Sequence, residues 1–200
     1  PNVKATMSAA ATARELRRKN TFKNVDSDGR RKREESRVKI RKKKKDSLLK
    51  KRRMLSTHVE FAGTQCIATL CSDILLPNKQ LRAITDFRKL LSMQDTTPIA
   101  AIMHTGVQQK FVDFLTHADP RVQFQAAWAL TNIASGTTEN VQAILRVGAL
   151  KGFVHFLRSP NVELRGQCLW GLANIAGDSV EHRDIVLRSG CLPAILALLN

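Results

Sequence analysis

Apolar side chains return at helical spacing through the second half of the chain and are sparse in its opening part. Val107, Phe111, Phe114 and Leu115 make one such stripe, and Ala149, Phe153, Phe156 and Leu157 make another. Asp119-Pro120 and Ser159-Pro160 interrupt these runs, because proline cannot continue a helix. Second amphipathic helices are predicted over Ala126 to Ala134 and Gln167 to Ala176, ending near Ser135-Gly136 and Gly177-Asp178. Period-two alternation rich in β-branched residues is absent, so almost no sheet is expected.

The pattern repeats. Gly106, Gly148 and Gly190 are spaced by 42 residues, as are Trp128 and Trp170, and Asn132 and Asn174. That period belongs to helical solenoids of the armadillo and HEAT type. A weaker first unit runs from about Cys66 to Thr105, with Ile74, Leu75, Leu81, Ile84, Phe87, Leu90 and Leu91 as its apolar positions. Gly190 to Asn200 begins another unit, in which Leu192, Ile195, Leu196, Leu198 and Leu199 have no downstream partner. Self-association through that end is expected; the alternative is a short protein closed by a capping helix.

At about 100° per residue, Trp128 and Asn132 share a face, while Ala127, Leu130, Ile133 and Ala134 gather on the opposite side. Leu169, Leu172, Ile175 and Ala176 bear the same relation to Trp170 and Asn174. An aromatic and an amide repeated on the non-core face once per unit suit a ladder for an extended peptide. The amide can donate to and accept from a peptide backbone, and indole walls hold the stems and charges of Lys or Arg. The alternative places each Trp partly buried between repeats. Asp178 could add a negative charge at one end, or serve only as a turn residue.

Charge changes the reading of the first part. Residues 1–60 hold 21 basic and 7 acidic side chains and residues 61–200 hold 12 and 10, so nearly all of the net +16 sits on an N-terminal arm. The run RRKREESRVKIRKKKKDSLLKKRR at 30–53 has only Val38, Ile40, Leu48 and Leu49 to pack, and needs a counter-charged partner to order. An acidic protein surface, nucleic acid phosphates or a groove of the same molecule would each serve. Phe22 is the arm's only aromatic, which gives base stacking no support.

Other chemistry is sparse. No phosphate loop, Gly-x-Gly-x-x-Gly or His-Glu-x-x-His pattern occurs, and His58, His104, His117, His155 and His182 are scattered, so no catalytic residues, metal or cofactor are expected. Cys66, Cys71, Cys168 and Cys191 form no Cys-x-x-Cys pair and read as reduced thiols rather than zinc ligands or disulfides. No apolar run approaches the roughly 20 residues that span a bilayer. Pro1-Asn2-Val3-Lys4 opens no signal peptide, and the missing initiator Met suggests a processed or incomplete chain.

Trp-Ala-Leu-Thr-Asn-Ile-Ala-Ser-Gly at 128–136 and Trp-Gly-Leu-Ala-Asn-Ile-Ala-Gly-Asp at 170–178, preceded by the basic arm, closely resemble the importin α family of nuclear import adaptors. The likeness extends over nearly the whole chain. It implies an all-α, right-handed superhelical solenoid of about three armadillo repeats after a basic, largely disordered or conditionally helical arm. The implied layout is a flexible terminus (1–10), an importin-β-binding-like arm (11–54), a linker (55–65) and repeats over 66–105, 106–147, 148–189 and an incomplete 190–200.

The resemblance places Trp128, Asn132, Ser135, Gly136, Gln167, Trp170, Asn174 and Asp178 in a groove for basic nuclear localisation signals, Asp178 pairing with the key lysine. It assigns Arg14, Arg17, Arg18, Lys19, Phe22, Arg30, Arg31, Arg33, Arg37, Arg41, Lys42 and Lys45 to importin β. Lys51, Arg52 and Arg53 would mimic a signal and occupy the adaptor's own groove, tethered at an effective concentration that can reach millimolar. The implied partners are importin β, cargo proteins and, indirectly, the nuclear pore machinery, with no membrane, with nucleic acid disfavoured, and with shuttling between cytoplasm and nucleus.

The chain also departs from the family pattern. Gly171 follows Trp170 where alanine is usual, Val141 replaces a groove threonine, Met93 stands where arginine often follows Leu-Leu-Ser, and Met54 and Leu55 replace the usual residues after the basic cluster. Three repeats instead of about ten leave out a third Trp–Asn rung. The rival readings are a basic-tailed armadillo scaffold that binds nucleic acid or chromatin, and a truncated adaptor that takes importin β but little cargo.

Overall fold

The computed structural model describes residues 67–93 and 99–198, together with Gly29, Lys32, Glu35, Ser36, Lys39, Ile40, Lys43 and Ser47. The chain divides into two units, 1–40 and 41–200. The isolated positions between 29 and 47 are helical, and all of them except Gly29 are exposed. None of the arm's candidate contact residues between Arg14 and Arg53 is among the described residues.

The described part of the second unit contains helices and turns and no strand. Helix α1 (Ile67–Asp73) and helix α2 (Gln80–Leu90) come first. Helix α3 (Ile99–His104), helix α4 (Gln108–Asp113, continued by a 3-10 turn at Phe114–Thr116) and helix α5 (Pro120–Ile133) form the next unit. The pattern recurs in α6 (Thr138–Arg146), α7 (Ala149–Phe156) and α8 (Val162–Ala176), and restarts in α9 (Val180–Arg188) and α10 (Cys191–Ala197). The long helices α2, α5 and α8 stack in order, with α5 packed between the other two, and the shorter helices pack alongside.

Local chemistry sets these boundaries. Asp119 caps α5 through the Arg121 amide with Pro120 in the first turn, and Asn161 caps α8 through the amides of Glu163 and Leu164. Thr137 and Ser179 cap α6 and α9 in the same way. The 42-residue glycine period is a backbone requirement: Gly106, Gly148 and Gly190 have φ of 74°, 86° and 76°, a left-handed turn that glycine enters without steric cost. Gly148 and Gly190 thereby turn the chain directly into α7 and α10.

The core runs continuously through the stack, with Phe87, Phe111 and Phe153 fully buried and the Phe87 and Phe111 rings edge to face at 5.3 Å. Most predicted core positions are buried, including Ile74, Ile84, Leu90, Leu91, Leu130, Ile133, Leu172 and Ile175. Leu75 is exposed instead, because α1 stops at Asp73 and helical spacing no longer applies in the turns that follow. Leu169 is also exposed. It has the repeat register of Ala127, one turn from Thr131, whose hydroxyl donates to the Gln167 carbonyl of α8 at 3.2 Å. No described helix covers the matching side of α8. Leu192, Leu196 and Leu198 are exposed as well, whereas Ile195 packs partly against the core.

Candidate functional site

Each tryptophan sits on a long stacked helix, Trp128 on α5 and Trp170 on α8, and both are half-buried. The asparagines one turn further on lie deeper: Asn132 is 3% and Asn174 2% exposed. Asn132 donates from Nδ2 to Ser92 Oγ, just past the end of α2, at 2.9 Å. Asn174 donates from Nδ2 to the Thr131 carbonyl of α5 at 3.0 Å. Each amide has two N–H groups and spends one in tying its own long helix to the preceding one.

This corrects the two-faced helix read from angular spacing. Every residue from Ala126 to Ala134 except Trp128 is buried, because α5 is enclosed by α2 and α8 on its flanks and by α4 and α6 beside it. Asn132 therefore points between stacked helices rather than straight away from the core.

Trp128 has a cation of its own. The Arg88 guanidinium, reaching across from α2, lies 4.5 Å from the ring centroid, and its Nε donates to Gln125 Oε1 at 3.0 Å. Burial lowers the Arg88 pKa from its ordinary value, and Asp86 opposes that shift. Phe124 meets the same indole edge to face at 5.6 Å. Sequence reasoning misses Arg88, which does not recur with the repeat, and Gln125, although Gln167 is its counterpart 42 residues on; the contact between them comes only from the stacking of α2 on α5.

Ser135 donates from Oγ to the Asn132 carbonyl at 2.6 Å, shaping the end of α5. A Cβ on Gly136 would meet Asn140 Nδ2 at 2.5 Å, so the turn there is closely packed. Gln167 is 1% exposed, and its carbonyl accepts the Thr131 hydroxyl. Asp178 is also enclosed: its Oδ1 accepts from Thr138 Oγ1 at 3.2 Å and its Oδ2 lies 2.9 Å from His182 Nδ1. Val141 is fully buried in the interior and is not a groove residue; its apolar side chain fills core space on α6. Gly171 owes its identity to packing, for its missing Cβ leaves room for the ring of Phe153.

Among the described residues no cluster of His, Cys, Asp and Glu could hold a metal ion, and no helix is long and apolar enough to cross a membrane. Cys71, Cys168 and Cys191 are free thiols. A cavity lined by Pro120, Gln123, His155, Phe156, Asn161 and Ala194, among others, involves none of the Trp–Asn residues.

Triple-helix units stacked through their long helices define an armadillo solenoid, and residues 95–135 and 137–177 match the Armadillo/beta-catenin-like repeat. Importin subunit alpha-1a of Oryza sativa subsp. japonica is 45% identical over 139 residues, covering 62% of this chain and 26% of that protein. Importin subunit alpha-4 of Arabidopsis thaliana is 43% identical over 154 residues (65% and 28%), and importin subunit alpha-B of Dictyostelium discoideum 44% over 138 (62% and 27%). Among solved structures, a designed armadillo repeat protein in complex with peptide (KR)4 is 27% identical with a TM-score of 0.60, covering 66% of this chain and 55% of that one. An engineered protein is 29% identical with a TM-score of 0.63 (68% and 57%). The chain is an armadillo-repeat protein of the importin α family, and it spans little more than a quarter of the length of these relatives.

Proposed function

We propose that this chain is a nuclear import adaptor that holds basic localisation signals along its Trp–Asn rungs and engages importin β through its basic arm. In this reading it shuttles between cytoplasm and nucleus and is not an enzyme. Arg88 stacked over Trp128 carries the cargo half of the reading: the indole of this rung already takes a guanidinium across its face, the contact that a ligand's arginine or lysine would make. The two rungs lie on stacked helices one repeat apart, so an extended chain passing along them meets an indole and a carboxamide in each unit. The (KR)4 peptide bound by the designed relative has the composition this chemistry favours.

The arm over 11–54, joined by the 55–65 linker to the repeats, supplies the importin β half through its basic side chains, with Lys51, Arg52 and Arg53 competing for the groove until importin β withdraws them. The test is the affinity of a fluorescent (Lys-Arg)4 peptide for the chain with and without Trp128→Ala and Trp170→Ala. Each substitution is expected to weaken binding on the order of tenfold or more. Removing residues 11–54 should tighten peptide binding and abolish capture of importin β. Unchanged affinity in both tryptophan variants would sink the groove reading, and an arm that prefers duplex DNA to importin β would favour the chromatin-scaffold alternative.

A further inference from the structure

We propose that Arg88 is a built-in occupant of the first Trp–Asn rung, its guanidinium filling the slot on the α2 side of the Trp128 indole, so that a basic ligand finds that face of the ring already taken. The inference rests on the reading of the rungs as a groove for basic peptides. Arg88 stands in the last turn of α2 and Trp128 on α5, in neighbouring units. The guanidinium carbon lies 4.5 Å from the ring centroid, a stacking distance for a cation on an indole. Because the side chain arrives from α2, the face it covers is the one turned toward that helix.

Two neighbours on α5 hold this arrangement. Gln125, three residues before Trp128 and on the same side of the helix, accepts from Arg88 Nε at 3.0 Å and so orients the guanidinium plane. Phe124, four residues before, meets the indole edge to face at 5.6 Å. The guanidinium stays charged near neutrality although it is half-buried. Asp86 is shared by Lys89 at 3.4 Å and Arg82 at 3.9 Å, which leaves α2 with three cations to one carboxylate. A ligand cation bound for this face therefore meets a like charge. It also competes with a guanidinium that the fold keeps at high effective concentration.

A second cation–ring pair provides a matched comparison. Lys110 Nζ lies 5.2 Å from the Phe114 ring centroid, a contact between residues four apart on α4 and the turn that continues it. It carries the same charge on an aromatic ring and belongs to neither rung.

The test measures the affinity of a fluorescent (Lys-Arg)4 peptide for the whole chain at one fixed salt concentration, with circular dichroism confirming the fold of each variant. Arg88→Ala is expected to bind roughly three- to tenfold more tightly, the worth of one cation–ring contact. Arg88→Lys keeps a cation for the ring and should gain less than about twofold. Should Arg88→Ala fail to fold, Arg88→Met keeps the stem without the charge and is expected to gain more than about twofold. Lys110→Ala should change affinity by less than about twofold, since its ring is outside the groove. Relative to Trp128→Ala alone, Trp128→Ala with Arg88→Ala should show no gain, because no indole remains to be contested. An Arg88→Ala chain that binds no more tightly than wild type, a gain that persists without the indole, or an equal gain in Lys110→Ala overturns the role of Arg88. A wild type that does not bind the peptide, or that is indifferent to both Trp128→Ala and Trp170→Ala, removes the groove reading itself. That outcome is distinct from tryptophan-dependent binding on which Arg88 has no effect.

Discussion

The Phe153 ring lies against the backbone of Gly171, so close that a Cβ there would meet Phe153 Cε2 and Cζ at 2.6 Å. Both residues are buried, with Phe153 on α7 and Gly171 on α8. Helix propensity alone would favour Gly171→Ala by about 1 kcal/mol. Overpacking a closed core costs about 1–3 kcal/mol, so the variant is expected to be less stable in urea titrations. Phe153→Leu in the same chain should recover part of the loss, giving an interaction energy on the order of 1 kcal/mol in a double-mutant cycle. A Gly171→Ala chain more stable than wild type would show that the ring yields.

Asn174→Ala leaves the buried Thr131 carbonyl without the Asn174 donor, and Asn132→Ala does the same to Ser92 Oγ. Each should lower unfolding free energy by about 1–3 kcal/mol. Because these amides also belong to the proposed groove, denaturation midpoints have to be measured beside peptide affinity. Loss of affinity at unchanged stability would mean that the inter-helix bonds contribute nothing.

Gly148→Ala and Gly190→Ala test the turns in isolation, since nothing lies within 4 Å of a Cβ at either position. The only penalty is the left-handed backbone, about 1–2 kcal/mol. Gly166→Ala is the matched comparison: it also has open space, but within α8, and should raise stability by up to about 1 kcal/mol.

The periodic features were open to sequence reading because they are local. A left-handed glycine and an Asx cap each act within a few residues, and they recur 42 residues apart in Gly106, Gly148 and Gly190 and in Asp119 and Asn161. Sequence reading took from them only the period, and it read Asp119-Pro120 and Ser159-Pro160 as breaks where Pro120 in fact opens α5. Features that depend on which helices become neighbours were not legible. Angular spacing along α5 gives no hint that α2 and α8 close over both flanks, so Asn132 and Asn174 looked more open than they are. Likewise, Gly171 looked like a weak helix position until Phe153 was in place, and Val141, aligned with a groove threonine, turned out to fill the core. The Arg88–Trp128 stack crosses from one unit to the next and has no sequence signature at all.

Burial pushes the Cys168 thiol up to about 12. A folded-state value above the ordinary 9.0 means that the native chain keeps this proton more tightly than the unfolded chain. Stability should therefore fall as pH rises above 9 and level off near 12, a decline that Cys168→Ala would remove. Near neutrality Cys168 should resist maleimide while half-buried Cys71 is labelled, as peptide mass mapping would show. Labelling of Cys168 at the rate of Cys71 in native buffer would contradict its enclosure.

If Asn174 also serves the proposed groove, its bond to the Thr131 carbonyl gives one carboxamide two masters. Whatever reshapes that side chain to suit a different guest also resets the pitch between consecutive repeats, and with it the rise of the spiral. Recognition and curvature in this scaffold would then drift together, and a redesign aimed at new guests would have to re-anchor the joint with some other donor.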